Sequence, residues 1–287
     1  TTEVQCAIYL LRALQPTGLP LEEMRNIYRL SPQSALLELL LVREVQKQEQ
    51  SLPQPGRYEP AYWEQVADKQ SEVALLTRFV QEVAQAGKAR TPGLWQLAAA
   101  HLLFLQKDYK AAQLALGKVP AGSIPPQGQP LAQLLRIALP LAQYKSIGTA
   151  EEAQVHTDFL ASASQLHPGA MDLMRQLLAM HYTRQKDVVK QHLVHNIAMG
   201  DAPHGRDVLL ALIAFMERPS HSPFEQWLLN NYAYSVAGLY EAVGISLLAE
   251  ARFDEAIPYL EKGVEAQLPA DPFVMRIRDC HDCDHAS

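Results

Sequence analysis

Apolar residues recur along most of the chain at the three- and four-residue spacing of an amphipathic helix, as in Val73, Leu76, Val80 and Val83. The pattern predicts helices over 2–14, 20–29, 32–49, 60–86 (broken near Ser71), 93–106, 108–118, 129–145, 150–165, 168–184, 186–199, 205–216, 223–251 and 254–266. Strand signals are nearly absent, and no Asn-Gly or Asp-Gly hairpin turn interrupts the pattern. Ser31-Pro32 and Thr91-Pro92 read as an N-cap followed by proline at the first helical position. Ser222 with Glu225, and Thr149 with Glu152, read as capping boxes, each side chain satisfying a free backbone N–H. Gly87 suits a left-handed helix end, and Pro140 predicts a kink or a split.

Two proline- and glycine-rich stretches, 50–60 and 119–130, read as rigid or extended connectors rather than packed elements. Helical pairing resumes after each without a change in composition. They are therefore taken as loops inside one helical-repeat domain, 1–287. Its parts would be irregular N-terminal helices over 1–50, hairpins over 61–266 and a Cys/His tail over 270–287.

The segment Leu239–Pro269 carries the most information. Gly244 and Ala256 remove side chains where two helices approach closely, and Tyr240, Leu247, Phe253, Leu260 and Val264 are read as filling the remaining gap. Pro258 is placed near the start of the second helix, where its missing N–H costs little. This pattern closely resembles one tetratricopeptide repeat, a helical hairpin of about 34 residues. Leu94–Val119 is similar, with Lys107-Asp108 in the turn and Ala100 at the crossing. Met171–Met199 reads as a degenerate third hairpin turning at Gln185-Lys186-Asp187.

The resemblance implies an all-α fold, an α-α superhelix or solenoid of antiparallel hairpins. It also implies a non-catalytic module that binds a protein or peptide in a groove lined by the first helix of each hairpin. Carried over by position, that groove would show Leu94, Leu97, His101 and Phe104 in one hairpin and Glu241, Ile245 and Leu248 in the last. The Lys/Arg clamp with which such modules grip acidic C-terminal tails has no counterpart here. The alternative partner is a flanking part of the same polypeptide, which would make the segment an internal scaffold.

Charge and special motifs narrow the picture. Asp and Glu number 31 against 25 Lys and Arg, a formal charge of -6. Without a basic stripe this argues against nucleic acid as a partner. The apolar run Val208–Phe215 is far short of the ~20 residues that span a bilayer. The chain starts at Thr1 with no signal segment before its first helix, which suggests a piece of a longer protein or a processed chain. A bacterial envelope and a cytoplasm are both compatible with it. Phosphate-cradling, dinucleotide and nucleophile-elbow motifs are missing, so an enzyme is not expected.

The tail Asp279-Cys280-His281-Asp282-Cys283-Asp284-His285 leaves several readings open. Cys280 and Cys283, with His285 as a third ligand, have the spacing to hold zinc. They could equally form a disulfide or belong to a free tail. A metal-dependent helical enzyme built on these cysteines is the remaining alternative. His192 and His195 share a helix face that His181 can approach, and they are read as ordinary histidines rather than ligands.

Overall fold

The helical spacing becomes helices throughout a computed structural model, which describes residues 1–14, 18–51, 60–120, 122–162, 170–199 and 205–266. In chain order they are α1 (Thr2–Ala13), α2 (Leu21–Leu30), α3 (Ala35–Ser51), α4 (Pro60–Ala86), α5 (Pro92–Leu105), α6 (Tyr109–Gly117), α7 (Gln129–Gln143), α8 (Thr149–Ser162), α9 (Ala170–Gln185), α10 (Val188–Met199), α11 (Arg206–Met216), α12 (Pro223–Asn230), α13 (Val236–Ala249) and α14 (Phe253–Glu265). Among the described residues there is no strand. The fold is all-α.

The chain forms two compact units, one from residues 1–145 with 157–177, the other from 146–156 with 178–287. In the first, Met24, Ile27, Leu37, Leu40, Leu76, Phe79 and Trp95 form a buried core. Phe79 sets its edge against Trp95, with ring centroids 6.0 Å apart and planes at 83°. A buried carboxylate ties the α1–α2 connection to α3. Glu44 is fully enclosed and accepts from Arg43 at 2.8 Å and Lys47 at 2.9 Å. The same two cations donate to the carbonyls of Ala13 and Gly18, each at 2.8 Å. In the second unit, α13 packs on α11 and α14, and α10 on α11 and α12.

Several element boundaries differ from the sequence reading, each for a local reason. Ser31 ends α2, and the next helix starts four residues later, at Ala35, after Ser34 Oγ accepts from the Leu36 N–H at 3.3 Å. The 223–251 helix is two helices. α12 stops at Asn230, and Ser235 starts α13 by accepting from the Gly238 N–H. No break occurs near Ser71, and α7 runs through Pro140 without splitting. Pro140 lies in the last turn, and the carbonyl it leaves free belongs to the exposed Arg136. Pro258 is the sixth residue of α14, past the four N–H groups that lack helical partners, so it costs α14 one hydrogen bond. The described part of the 119–130 loop is packed rather than extended: Ile124 is buried and a 3-10 turn closes it at Pro126–Gly128. Residues 52–59 of the other loop lie outside the described residues.

One turn is built three times. The N–H groups of Asp108, Asp187 and Arg252 each donate, at 3.0 Å, to the carbonyls of Leu103, Tyr182 and Leu247. Lys107, Lys186 and Ala251 hold the left-handed conformation between the two helices, at φ 63°, 59° and 58°. This is the Schellman closure of a helix, and its last residue also opens the next helix. Asp108 accepts from the Ala111 N–H at 3.1 Å and Asp187 from the Lys190 N–H at 2.9 Å. Arg252 instead pairs with Glu255. The α5–α6, α9–α10 and α13–α14 junctions are thus one device.

A side chain at a left-handed position carries a Cβ penalty that glycine lacks. Lys107→Gly is expected to stabilise the protein by about 0.5–1 kcal/mol, a rise in Tm of roughly 1–4 °C. A lowered Tm in differential scanning calorimetry would contradict this reading of the turn.

Candidate functional site

Helix α13 carries one charge in fourteen residues, so it is apolar nearly all round. Its inward side chains, Leu239, Tyr240, Val243 and Leu247, are buried. Gly244 and Gly263 allow α14 to come close. A Cβ on Gly244 would lie 2.5 Å from Leu260 Cδ2, and one on Gly263 would lie 3.3 Å from the Ala237 carbonyl oxygen. Ala256 is fully enclosed at this crossing. Gly244 and Ala256 sit where the sequence pattern places them, and Gly263 adds a third small residue that the pattern does not single out.

Two of the expected gap fillers do not fill the gap. Phe253 and Val264 are 60% and 69% exposed. The inward face of α14 is set by Ala256, Leu260 and Gly263, which turns Phe253 and Val264 to its flank.

The other side of α13 is free among the described residues. Glu241, Ile245 and Leu248 follow at i, i+4 and i+7 and form one exposed stripe, with Ile245 54% and Leu248 39% accessible. The fold brings these three sequence-derived positions together. The corresponding set on α5 is enclosed instead: Leu97, His101 and Phe104 are buried and Leu94 is half-buried, because α3, α4, α6 and α7 pack around that helix. Burial pulls the His101 pKa down against the opposing pull of Glu49, whose carboxylate is 3.9 Å away.

A buried ion-pair cluster in the second unit is not legible as such in the sequence. Glu152, 2% exposed, accepts from Tyr182 Oη at 2.8 Å and from Lys190 Nζ at 2.7 Å. Lys190 also lies 3.3 Å from Glu225, which pairs with Arg218 at 3.0 Å. Glu225 closes the capping box as well: its carboxylate accepts from the Ser222 N–H while Ser222 Oγ accepts from its own. Burial raises the Glu225 pKa, but the Ser222 N–H, Arg218 and Lys190 together outweigh this and hold it at about 2. Burial, reinforced by Glu152, pushes the Tyr182 hydroxyl far above its ordinary value. The ammonium between two carboxylates braces α8, α9, α10 and α12. The sequence signal is Glu151-Glu152, which reads as a helix-start pair. The structure separates them: Glu151 accepts from the Gly148 N–H at 2.9 Å, and Glu152 turns inward, so the Thr149–Glu152 capping box does not form.

Cys280, Cys283 and His285 lie outside the described residues. Among the described residues no group of three or more His, Cys, Asp or Glu side chains is arranged to hold a metal ion. His192 shares a 3.1 Å hydrogen bond with Tyr232 Oη, His195 is exposed and His181 is buried. Among the described residues no helix is long and apolar enough to cross a membrane. No family model, no curated protein and no solved structure matches this chain, so its role is read from its own surface.

Proposed function

We propose that the chain is a non-catalytic, tetratricopeptide-like helical-repeat module whose hairpins stack as an α-α superhelix and which binds a protein or peptide along the free face of α13. One observation carries this reading. The α13–α14 hairpin is locked tightly on one side by Gly244, Ala256 and Gly263, yet leaves Ile245 and Leu248 open to solvent on the other. An apolar stripe retained opposite the buried face of a helix is a surface suited to a partner. The repeated turn at Lys107, Lys186 and Ala251 supports the repeat character. The single carboxylate of the stripe, Glu241, favours an apolar segment flanked by a cationic or hydrogen-bond-donating residue, and it disfavours an acidic tail.

The test is a peptide display selection on the whole chain, followed by affinities measured on the wild type and on Ile245→Glu. The exposed position lets the variant fold, and ligands of this face should bind it at least about tenfold more weakly. Selected ligands that bind wild type and Ile245→Glu equally would overturn the assignment.

A further inference from the structure

Two exposed helix faces in this chain complement each other. On α1, Val4, Ile8 and Leu11 are 56%, 51% and 67% exposed and fall within about 60° of arc. Beside them runs a shallow groove against α2, where Ile8, Arg12, Arg29 and Leu30 line the walls, and none of its described lining residues is acidic. Arg29 has no ion pair or hydrogen bond among the described residues, and Arg12, an exposed side chain, has only a long ion pair with Glu23 at 3.8 Å and a stacking contact over the Tyr9 ring at 5.8 Å. On α14, Phe253, Ile257 and Val264 form an equally narrow stripe, with Ile257 50% exposed. Its outer edge carries Asp254, Glu261 and Glu265, which have no ion partner among the described residues. One face is apolar with a basic edge. The other is apolar with an acidic edge, on a helix of a length that a helix–helix groove accepts.

We propose that α14 of one copy docks on the α1–α2 face of a second copy, in a head-to-tail contact. Ile257 and Val264 meet Ile8 and Leu11, while Glu261 and Glu265 meet Arg29 and Arg12. Opposite edges set the orientation, and the apolar stripes supply the affinity. The contact uses two different surfaces, so each copy in a pair keeps one face free for another copy.

Sedimentation equilibrium of the whole chain over a wide concentration range tests this. The average mass should rise with concentration and fall back when salt is added. Ile8→Glu and Ile257→Glu, both exposed substitutions, should each weaken self-association about tenfold or more. Mixed together, these two variants should recover a one-to-one complex and nothing larger, since each supplies the face the other has lost. Arg29→Glu should weaken association, and pairing it with Glu261→Lys should restore it. A wild type that stays monomeric, the result if another segment or partner covers either face, would overturn the proposal. So would a mixture of the two variants that fails to pair, or a variant that associates as strongly as wild type.

Discussion

Replacing Lys190 with methionine is expected to cost the protein about 3–5 kcal/mol of stability, the range for removing one partner of a buried ion pair. Methionine keeps much of the length and apolar stem of lysine and deletes the charge. Glu152, 2% exposed, would then keep the Tyr182 hydroxyl as its one side-chain partner among the described residues, which offer its negative charge no other counter-ion. Glu225 would suffer less, because Arg218 and the Ser222 N–H still hold it. The double variant Lys190→Met with Glu152→Gln removes the stranded charge and should recover much of the loss. The non-additivity measured by denaturant unfolding is thus the informative quantity. Lys186→Met, at an exposed site in the turn that leads into α10, should stay within about 0.5 kcal/mol of wild type. A loss below about 1 kcal/mol for Lys190→Met would mean that water reaches the cluster.

The same cluster sets an acid limit. The Glu225 pKa lies at about 2 in the folded chain, below its ordinary value of 4.5. A carboxylate depressed by folding stabilises the native state above its unfolded pKa, and that contribution is lost as pH falls through the folded one. Stability should therefore decline between roughly pH 5 and pH 2. In Glu225→Gln that part of the decline should be absent, which a series of urea titrations across this range would detect.

Whatever depends on near neighbours is legible in the sequence. Helical spacing, the Ser222–Glu225 box and the small residues Gly244 and Ala256 are local patterns, and the structure follows them. The Gln-Lys-Asp turns are legible for the same reason: the capping carboxylate lies one residue from the left-handed position. Legibility ends where a side chain's fate depends on residues far away in the chain. Glu152 looks like any acid in a first helical turn, and only Tyr182 and Lys190, 30 and 38 positions away, draw it inward. His101 and Phe104 share a spacing with Ile245 and Leu248, yet the packing of α3, α4, α6 and α7 encloses the first pair while the second stays open. The packing pattern read from the sequence puts Phe253 and Val264 inward, but the rotation of α14 is fixed by Gly263 and Leu260 together, a two-helix property.

Gly244→Val should damage the fold next most after Lys190→Met, and it bears directly on that two-helix property. A Cβ at 244 would sit 2.5 Å from Leu260 Cδ2 and 2.6 Å from Leu260 Cγ, distances that side chains do not tolerate, and valine adds two further methyl groups. Either Leu260 leaves its rotamer or α14 moves away from α13. Overpacking of this kind costs about 1–3 kcal/mol, and the gain in helix propensity over glycine returns well under about 1 kcal/mol. The net expectation is a loss of about 2 kcal/mol, read as a shifted denaturation midpoint with an unchanged slope. Leu260→Ala in the same molecule removes the atoms that the new side chain strikes, so the double variant should be more stable than the sum of the single changes. Gly238 supplies a contrast on the same helix. A Cβ there meets nothing closer than Ser235 Oγ at 3.7 Å, so Gly238→Ala should stabilise by about 0.5–1 kcal/mol through propensity alone. Opposite signs at two glycines six residues apart would locate the close crossing at Gly244. Equal and small effects at both would mean that the hairpin is looser than the Leu260 contact requires, and the tight face of α13 would then lose its distinction from the open one.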